Sequence, residues 1–461
     1  MRISPTFWRK NGKFLRCFKE AFPIDTLFTH VSCVTMDESM TVLTDAFVGV
    51  TDGKITHLSK IAPPEDDLPK KIIDGTGMVM MPGLINCCTR LGASLLGGIA
   101  DDRAAEQALV FPREERLDAR AVKAAALLSI AQCFRFGVTS VTDEYYYAQS
   151  TAEAAFESGI KINLAPLTAR YSAEELDERT DPACIELRTL HQNWHGRDGG
   201  RIAVEASVRE DRSTPELWEY CARFAAEEGI GMQVCLSETK AAHDGAVERT
   251  GLSPAEVLDC HHVFGGRTTA AHCTHLTESD MRLLGKRGVS AVYCPASDLK
   301  QASGRADLLQ MVKSGMNVAL GTDSTLSGTN LDLFTQMRLA ALEGKLQQGD
   351  PAAMPAQAAL MLATVCGARA QGREKECGML KIGMDADLCL LDFTQVHLIP
   401  CHDLMQQLVY RASGNDVVLT MVRGKTVYSA GTYPTIDLPK VLSELTEYAV
   451  PKVFGEKEDP S

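Results

Sequence analysis

A chain of 461 residues is longer than one small core requires and is enough for a large α/β barrel of roughly 250 residues with a smaller appended domain. Its composition is 45% hydrophobic and 23% charged, with 36 Gly and 19 Pro, which excludes a disordered or fibrous chain. A net charge of −13, with no cluster of Lys and Arg after residue 20, excludes the basic surface that phosphate binding relies on, so nucleic acid is not an expected partner.

Residues 1–24 differ in character. "MRISPTFWRKNGKFLRCFKEAF" interleaves Arg2, Arg9, Lys10, Lys13, Arg16 and Lys19 with Phe and Trp8. It reads either as a basic amphipathic arm or as a bland extension ahead of the fold. It lacks the continuous apolar run of a signal peptide, and no stretch reaches the ~18 apolar residues of a membrane span. A cytoplasmic protein with no membrane partner is therefore expected. The fifteen cysteines are scattered through apolar segments of a large chain, as at Cys133, Cys221 and Cys366, and read as buried reduced thiols rather than a disulfide framework.

From 25 to 80 the pattern is short strands and turns: "TLFTHVSCVTMDE", then "DAFVGVTDGKITHLSK" with an Asp52-Gly53 hairpin signal, then "KIIDGTGMVMMPG". From 81 to 371 the rhythm becomes strand then helix. Apolar strands such as "FGVTSVTDE", "IKINLAPL", "RIAVEASV", "GMQVCLSE", "TTAAHCTH", "VSAVYCPAS" and "NVALGTDS" alternate with amphipathic stretches such as "PELWEYCARFAAEEG" and "ADLLQMVKSG", which stop at Gly229 and Gly315. This predicts a parallel (β/α)8 barrel of the TIM type. Short strands return over 372–437, so both chain ends are expected to build one composite β-sandwich, with 438–461 as a C-terminal tail.

A barrel of this kind delivers its chemistry at the C-terminal ends of its strands. The first of these ends, "MPGLINCCTRLGASLLGG", delivers Cys87, Cys88, Thr89 and Arg90. The later ends deliver Asp143, Val208, Cys235 with Glu238, His272 with His275, Cys294, and Asp323. The phrases around them, "MPGLIN", "LSETK", "AAHCTHLTESD", "PASDLKQASG", "GTDSTLSGTNLDLFTQMRLAAL", "GMLKIGMDADLCLLD" and "LVYRASGNDVVLTMVRGKTVY", resemble the amidohydrolase superfamily. The resemblance is to its branch of methylthioadenosine, adenosylhomocysteine and guanine deaminases and triazine chlorohydrolases.

The resemblance implies a hydrolase of non-peptide C–N bonds in purine-like or other heterocyclic substrates. It also implies a divalent metal held by a His-x-His on strand 1, a His on strand 5 and an Asp on strand 8, with a strand-5 Glu and a strand-6 His moving protons. Carried over by position, the His-x-His falls on Cys88 and Arg90, the strand-5 His on Cys235, the Glu on Glu238, the strand-6 His on His272 and the Asp on Asp323. A substrate motif of strand 4 falls on "VRED" from Val208, and an "HNP" of strand 7 reads "YCP" at Tyr293 to Pro295. A Trp of the family is missing near Ala105.

Guanidinium has no lone pair to offer a metal. Facing a bare dication at ~4 Å it would be repelled by about 8 kcal/mol at an effective dielectric near 20. The expectation is therefore no cofactor at the usual site, with Arg90 pairing Asp323 or Glu238. The alternative is zinc at a thiolate site made of Cys88, Cys235, His272 and Asp323.

Glu238, His272, Asp323 and Cys88 are the candidate catalytic groups. Arg90, Cys235, His275, Val208 and Cys294 are the candidate pocket residues. Each also has a structural reading: a cap for Asp323, a packed ring for His272 or His275, a small buried hydrophobe for Cys235. Arg90, two residues along the chain, makes Cys88 the candidate for a reactive thiolate. Three function classes remain open at this point: a hydrolase of the deaminase branch, a catalytically silent homologue binding a small molecule or partner subunit, and a thiol enzyme using Cys88. A homo-oligomer, dimer or tetramer, is the expected assembly.

Overall fold

The computed structural model describes residues 24–64, 69–102, 106–167, 176–210 and 212–455, with the backbone of 9–10 and 13–14. The remainder of the basic extension, Ala105, Asp211 and the last six residues lie outside this set.

Eight strand positions form the predicted barrel. They are Leu84–Thr89, Val138–Tyr145, Lys161–Pro166, a fourth strand in two pieces (Ile202–Val204 and Ala206–Arg209), Met232–Leu236, Thr268–His272, Ser290–Tyr293 and Asn317–Leu320. Every pairing between them is parallel, within one arc of four strands and one of five. Glu205, between the two pieces of the fourth strand, keeps the ladder going by donating its N–H to the Leu164 carbonyl at 2.9 Å. The other seam closes where the N–H groups of Thr322 and Asp323 reach the Cys88 carbonyl at 3.2 and 3.0 Å and Thr89 bridges Asp323 in parallel. The last strand thus ends directly beside the first, which brings Asp323 to Arg90.

The strands are nearly continuous apolar runs because both faces are covered, by helices outside and by packed side chains within. The helices end as their sequence predicts. Pro215–Glu228 stops at Gly229 in the left-handed region with φ 66, and Glu278–Arg287 starts on a capping box between Thr277 and Asp280.

Both chain ends build the second sheet. Its order runs Lys425–Ser429, Val417–Val422, Leu388–Asp392, Met78–Pro82, Thr26–Val34, Val42–Thr51, Lys54–Ser59, with Lys71–Asp74 also pairing Thr26–Val34. The two ends meet where Leu388–Asp392 runs antiparallel to Met78–Pro82, over a core that includes Phe28, Val31, Val48, Ile55, Met80, Leu388 and Met421. The Asp52-Gly53 signal makes the expected tight hairpin, with both residues at positive φ (49 and 78) and Thr51 opposite Lys54.

The segment after 437, expected as a tail, is helical from Leu438 to Phe454. It packs on the helix Ala119–Arg135, where Arg120 binds Glu444 at 2.8 Å and lies 3.8 Å over the Tyr448 ring. The cysteines of the described residues are free thiols, as expected. No helix among them is long and apolar enough to cross a membrane.

Candidate active site

Arg90 is aimed by a clamp on the residues either side of it. Asp143, at the end of the second strand, accepts the Thr89 hydroxyl at 2.8 Å and the Leu91 N–H at 2.7 Å through one oxygen. Burial pushes the Asp143 carboxyl up to about 7, with those two donors opposing the rise. Earlier in the first strand Asn86 donates its side-chain amide to the Thr322 hydroxyl at 2.7 Å and accepts the Thr322 backbone N–H at 3.1 Å. The strand end is therefore held from both sides, and Arg90 projects across the mouth with Nε 3.5 Å from Asp323 Oδ1.

Asp323 is 1% exposed. Its second oxygen accepts the Ser297 hydroxyl at 3.0 Å and the Ser327 hydroxyl. Burial would raise this carboxyl, but Arg90, His272 and the two serines outweigh it and hold it at about 2, below its ordinary 3.8. A depressed carboxylate stabilises the fold above its unfolded value and loses that contribution as pH falls through its folded one. Lowering from 3.8 to about 2 corresponds to roughly 2 kcal/mol. Urea denaturation between pH 4 and 2 should therefore show a shallower loss of stability in Asp323→Asn than in the native chain, and equal slopes would contradict this.

His272 ends the sixth strand with φ 69, a strained conformation for a side-chain-bearing residue, and Asp323 is strained likewise with φ 54. The imidazole is fully buried. Its Nδ1 lies 2.8 Å from Asp298 Oδ1 and its Nε2 lies 3.8 Å from Glu238 Oε2. Burial opposes charge on the ring, yet the Glu238 and Asp298 carboxylates prevail and raise its pKa well above the ordinary histidine value. Cys235, on the fifth strand, accepts hydrogen bonds from Arg209 Nη1 at 3.1 Å and Arg90 Nη2 at 3.8 Å. Arg209 also stands 3.7 Å from Glu144.

In front of these groups lies a cavity of about 360 Å³, whose walls include Arg90, Arg209, Cys235, Glu238 and Asp323. Phe111, Glu114 and Arg212 form its outer rim and continue into a shallower cleft beside Tyr146 and Tyr147.

The six residues expected to converge, Cys88, Arg90, Cys235, Glu238, His272 and Asp323, do share this end of the barrel. Cys88 sits one layer deeper, lining a narrow space with Cys87, Thr89, Glu144, Gln233 and Cys235, and close to Cys294, which is itself fully buried.

Three expected pocket residues are not there. Val208 lies in the apolar layer between barrel and helices, because successive side chains of a strand alternate in direction and its neighbour Arg209 takes the mouth. His275 turns away to bond the Ser303 carbonyl at 2.5 Å. Cys294 lies in the packed interior beneath the cavity rather than on its wall. Residue-by-residue reading missed Arg209, Glu144, Ser297, Asp298 and Ser327. Asp298 stands in the quoted phrase "PASDLK", on the short helix Pro295–Lys300 that follows the seventh strand.

A parallel eight-stranded barrel with a composite sheet and carboxylate, imidazole and thiol groups at its C-terminal mouth defines the class. The chain belongs to the amidohydrolase family, whose model matches residues 79–427. It is 35% identical over 431 residues to the 5'-deoxyadenosine deaminase of Methanosarcina mazei, covering 92% of this chain and 98% of that one. It is 33% identical over 424 residues to a 5-methylthioadenosine/S-adenosylhomocysteine deaminase of Moorella thermoacetica, covering 90% and 97%. Among solved structures, an adenosine deaminase from Xanthomonas campestris with bound zinc superposes with a TM-score of 0.86 at 27% identity, covering 92% of this chain and 98% of that one.

The Xanthomonas structure corrects the expectation of no cofactor: a relative of this chain holds zinc. The side chains at this mouth do not fit the ion. Among the described residues no group of three or more His, Cys, Asp or Glu is placed to hold a metal. The thiolate cage of Cys88, Cys235, His272 and Asp323 is likewise not assembled, since guanidiniums engage both Cys235 and Asp323. The zinc-bearing relative and the donor set at this mouth therefore disagree.

Proposed function

We propose that the mouth takes a small heterocyclic ligand of adenosine type, and that the family's hydrolytic site is rewritten here into one that binds such ligands better than it deaminates them. The ion pair of Arg90 with the buried Asp323 carries this reading. It commits the strand-8 carboxylate to a protein cation, and it puts a group with no lone pair where the family resemblance implies a histidine. The cavity volume falls in the range that small ligands occupy. Phe111 at the rim offers an aromatic face, and Glu238, Glu114 and Glu210 offer acceptors for amino or ring N–H groups. The relatives named as deaminases of adenosine-like compounds support the ligand class.

Calorimetric titration of the full chain with adenosine, 5'-deoxyadenosine, methylthioadenosine and adenosylhomocysteine tests the first half, and ammonia release in zinc-supplemented buffer tests the second. At least one nucleoside should bind with Kd below about 1 mM, and ammonia should form more slowly than about 0.01 s⁻¹, well under the ~1 s⁻¹ at which ordinary enzymes begin. No binding by any of the four overturns the ligand class. Turnover near 1 s⁻¹ overturns the reading of the site.

A further inference from the structure

The helix that forms the rim of the mouth cannot hold itself. Glu106–Glu114 brings Phe111 and Glu114 to the cavity wall, yet it is nine residues long and carries Pro112 inside it, which removes a backbone hydrogen bond. Isolated helices shorter than about 12 to 15 residues are marginal in water even without a proline. What packs against this helix therefore decides whether Phe111 and Glu114 stay where they are.

Part of that packing comes from the far end of the chain. Val453 is fully buried in a small apolar cluster with Val110 of the rim helix and with Leu96, Leu117, Val122 and Tyr145. Phe454 packs against the same cluster, and the Arg113 guanidinium lies 5.4 Å over its ring. Arg116, just past the rim helix, donates to the Val453 carbonyl at 3.4 Å. The segment leading to these two residues is itself anchored, since the Tyr448 hydroxyl donates to Asp118 at 2.5 Å. This cluster is distinct from the main core of the barrel and its helices, which takes in Val441, Leu445 and Ala449 of the same segment but neither Val453 nor Phe454. Losing the last two side chains thus costs the barrel little and the rim much.

We propose that Val453 and Phe454 are positioning residues for the mouth: from the helix Val450–Phe454 they latch the rim helix and so set the entrance of the cavity and its hold on a ligand, although neither lines it. The latch stands on the packing alone. Its effect on affinity rests on the reading of the mouth as a ligand site.

Hydrogen exchange and thiol labelling of the full-length protein test the latch without a ligand. In Phe454→Ala and in Val453→Ala, the amides of the rim helix should exchange at least about 10-fold faster while those of the barrel strands keep their native rates. Cys235 lies on the cavity wall behind the rim. Its labelling by fluorescein maleimide, a bulky thiol reagent, should rise about 10-fold in the same variants, with the exposed Cys260 and Cys401 unchanged. A general loosening of the fold would move the strands as well. The Kd for a nucleoside, read by calorimetry, should rise at least about 5-fold as the preformed wall is lost.

Rim exchange or Cys235 labelling at native rates in both variants overturns the inference, as does strand exchange that rises as much as that of the rim. Phe454 is only half-buried, so Phe454→Ala decides alone if Val453→Ala fails to fold. An unchanged Kd with a freed rim shows that the rim does not hold the ligand, which overturns the inference too. If the native chain binds no nucleoside, the reading of the mouth falls, and exchange and labelling still decide the latch.

Discussion

Lys161→Met should destabilise the chain by roughly 3 to 5 kcal/mol, the cost of removing one partner from a buried ion pair. Lys161 opens the third barrel strand at the end opposite the candidate site and is fully buried. Its ammonium lies 2.6 Å from Asp387, 2.7 Å from Asp385 and 3.6 Å from Glu376. Burial would strip its proton, but Asp387 and Asp385 prevail and raise its pKa. Asp385 also binds Lys54 at 2.7 Å and Arg423 at 3.2 Å, so the cluster ties the barrel floor to strands from both chain ends.

Without Lys161, Asp385 keeps two cations, whereas among the described residues no other cation pairs with Asp387, which is left charged at the junction with the Arg423 backbone N–H on its other oxygen. The double variant Lys161→Met with Asp387→Asn should therefore lose less than the sum of the two single losses. Urea midpoints for the four proteins of that cycle check this. Strict additivity, or a single loss under 1 kcal/mol, would show that the cluster contributes little.

That cluster also shows what the sequence hides. Lys161 and Asp385 are 224 positions apart, and nothing local to either predicts the other. Barrel strands are different, because apolar runs bounded by turn residues reflect burial on both faces, a condition each strand meets within its own eight or so residues. The same holds for Asp52-Gly53, where two adjacent residues must both take positive φ. At the mouth, the residues that end strands were legible by position, which is how Cys88, Arg90, Cys235, Glu238, His272 and Asp323 were brought together.

Their partners were harder to read. Val208 and Arg209 are adjacent in a strand interrupted at Glu205, so the phase of alternation was lost and the wrong neighbour was assigned to the cavity. Asp298 reaches His272 from a helix after the next strand. Its short-range neighbours say only that a helix starts there. His275, three residues past His272, has already left the strand, so sequence nearness to a site residue carried no information about direction.

Arg90→Met is the most direct examination of the mouth, and a loss of about 3 kcal/mol is expected. Asp323 would keep its Ser297 and Ser327 bonds on one oxygen, but its other oxygen, which among the described residues has no hydrogen-bond donor, would lose the guanidinium that stands 3.5 Å from it. Since Arg90 is the largest influence lowering the Asp323 pKa, that value should climb from about 2 toward or past 3.8. The acid-side contribution argued for Asp323 should then vanish from the denaturation profile between pH 4 and 2. Methionine matches the aliphatic length of arginine and is apolar, so lost packing is a minor part of the effect. Adding Asp323→Asn removes the stranded charge, and the double variant should be more stable than Arg90→Met alone, by about 1 to 2 kcal/mol. A double variant less stable than the single, or an Arg90→Met chain with native acid behaviour, would mean that the carboxylate draws its low pKa from the serines and the His272 ring, and that Arg90 does not hold the place assigned to it.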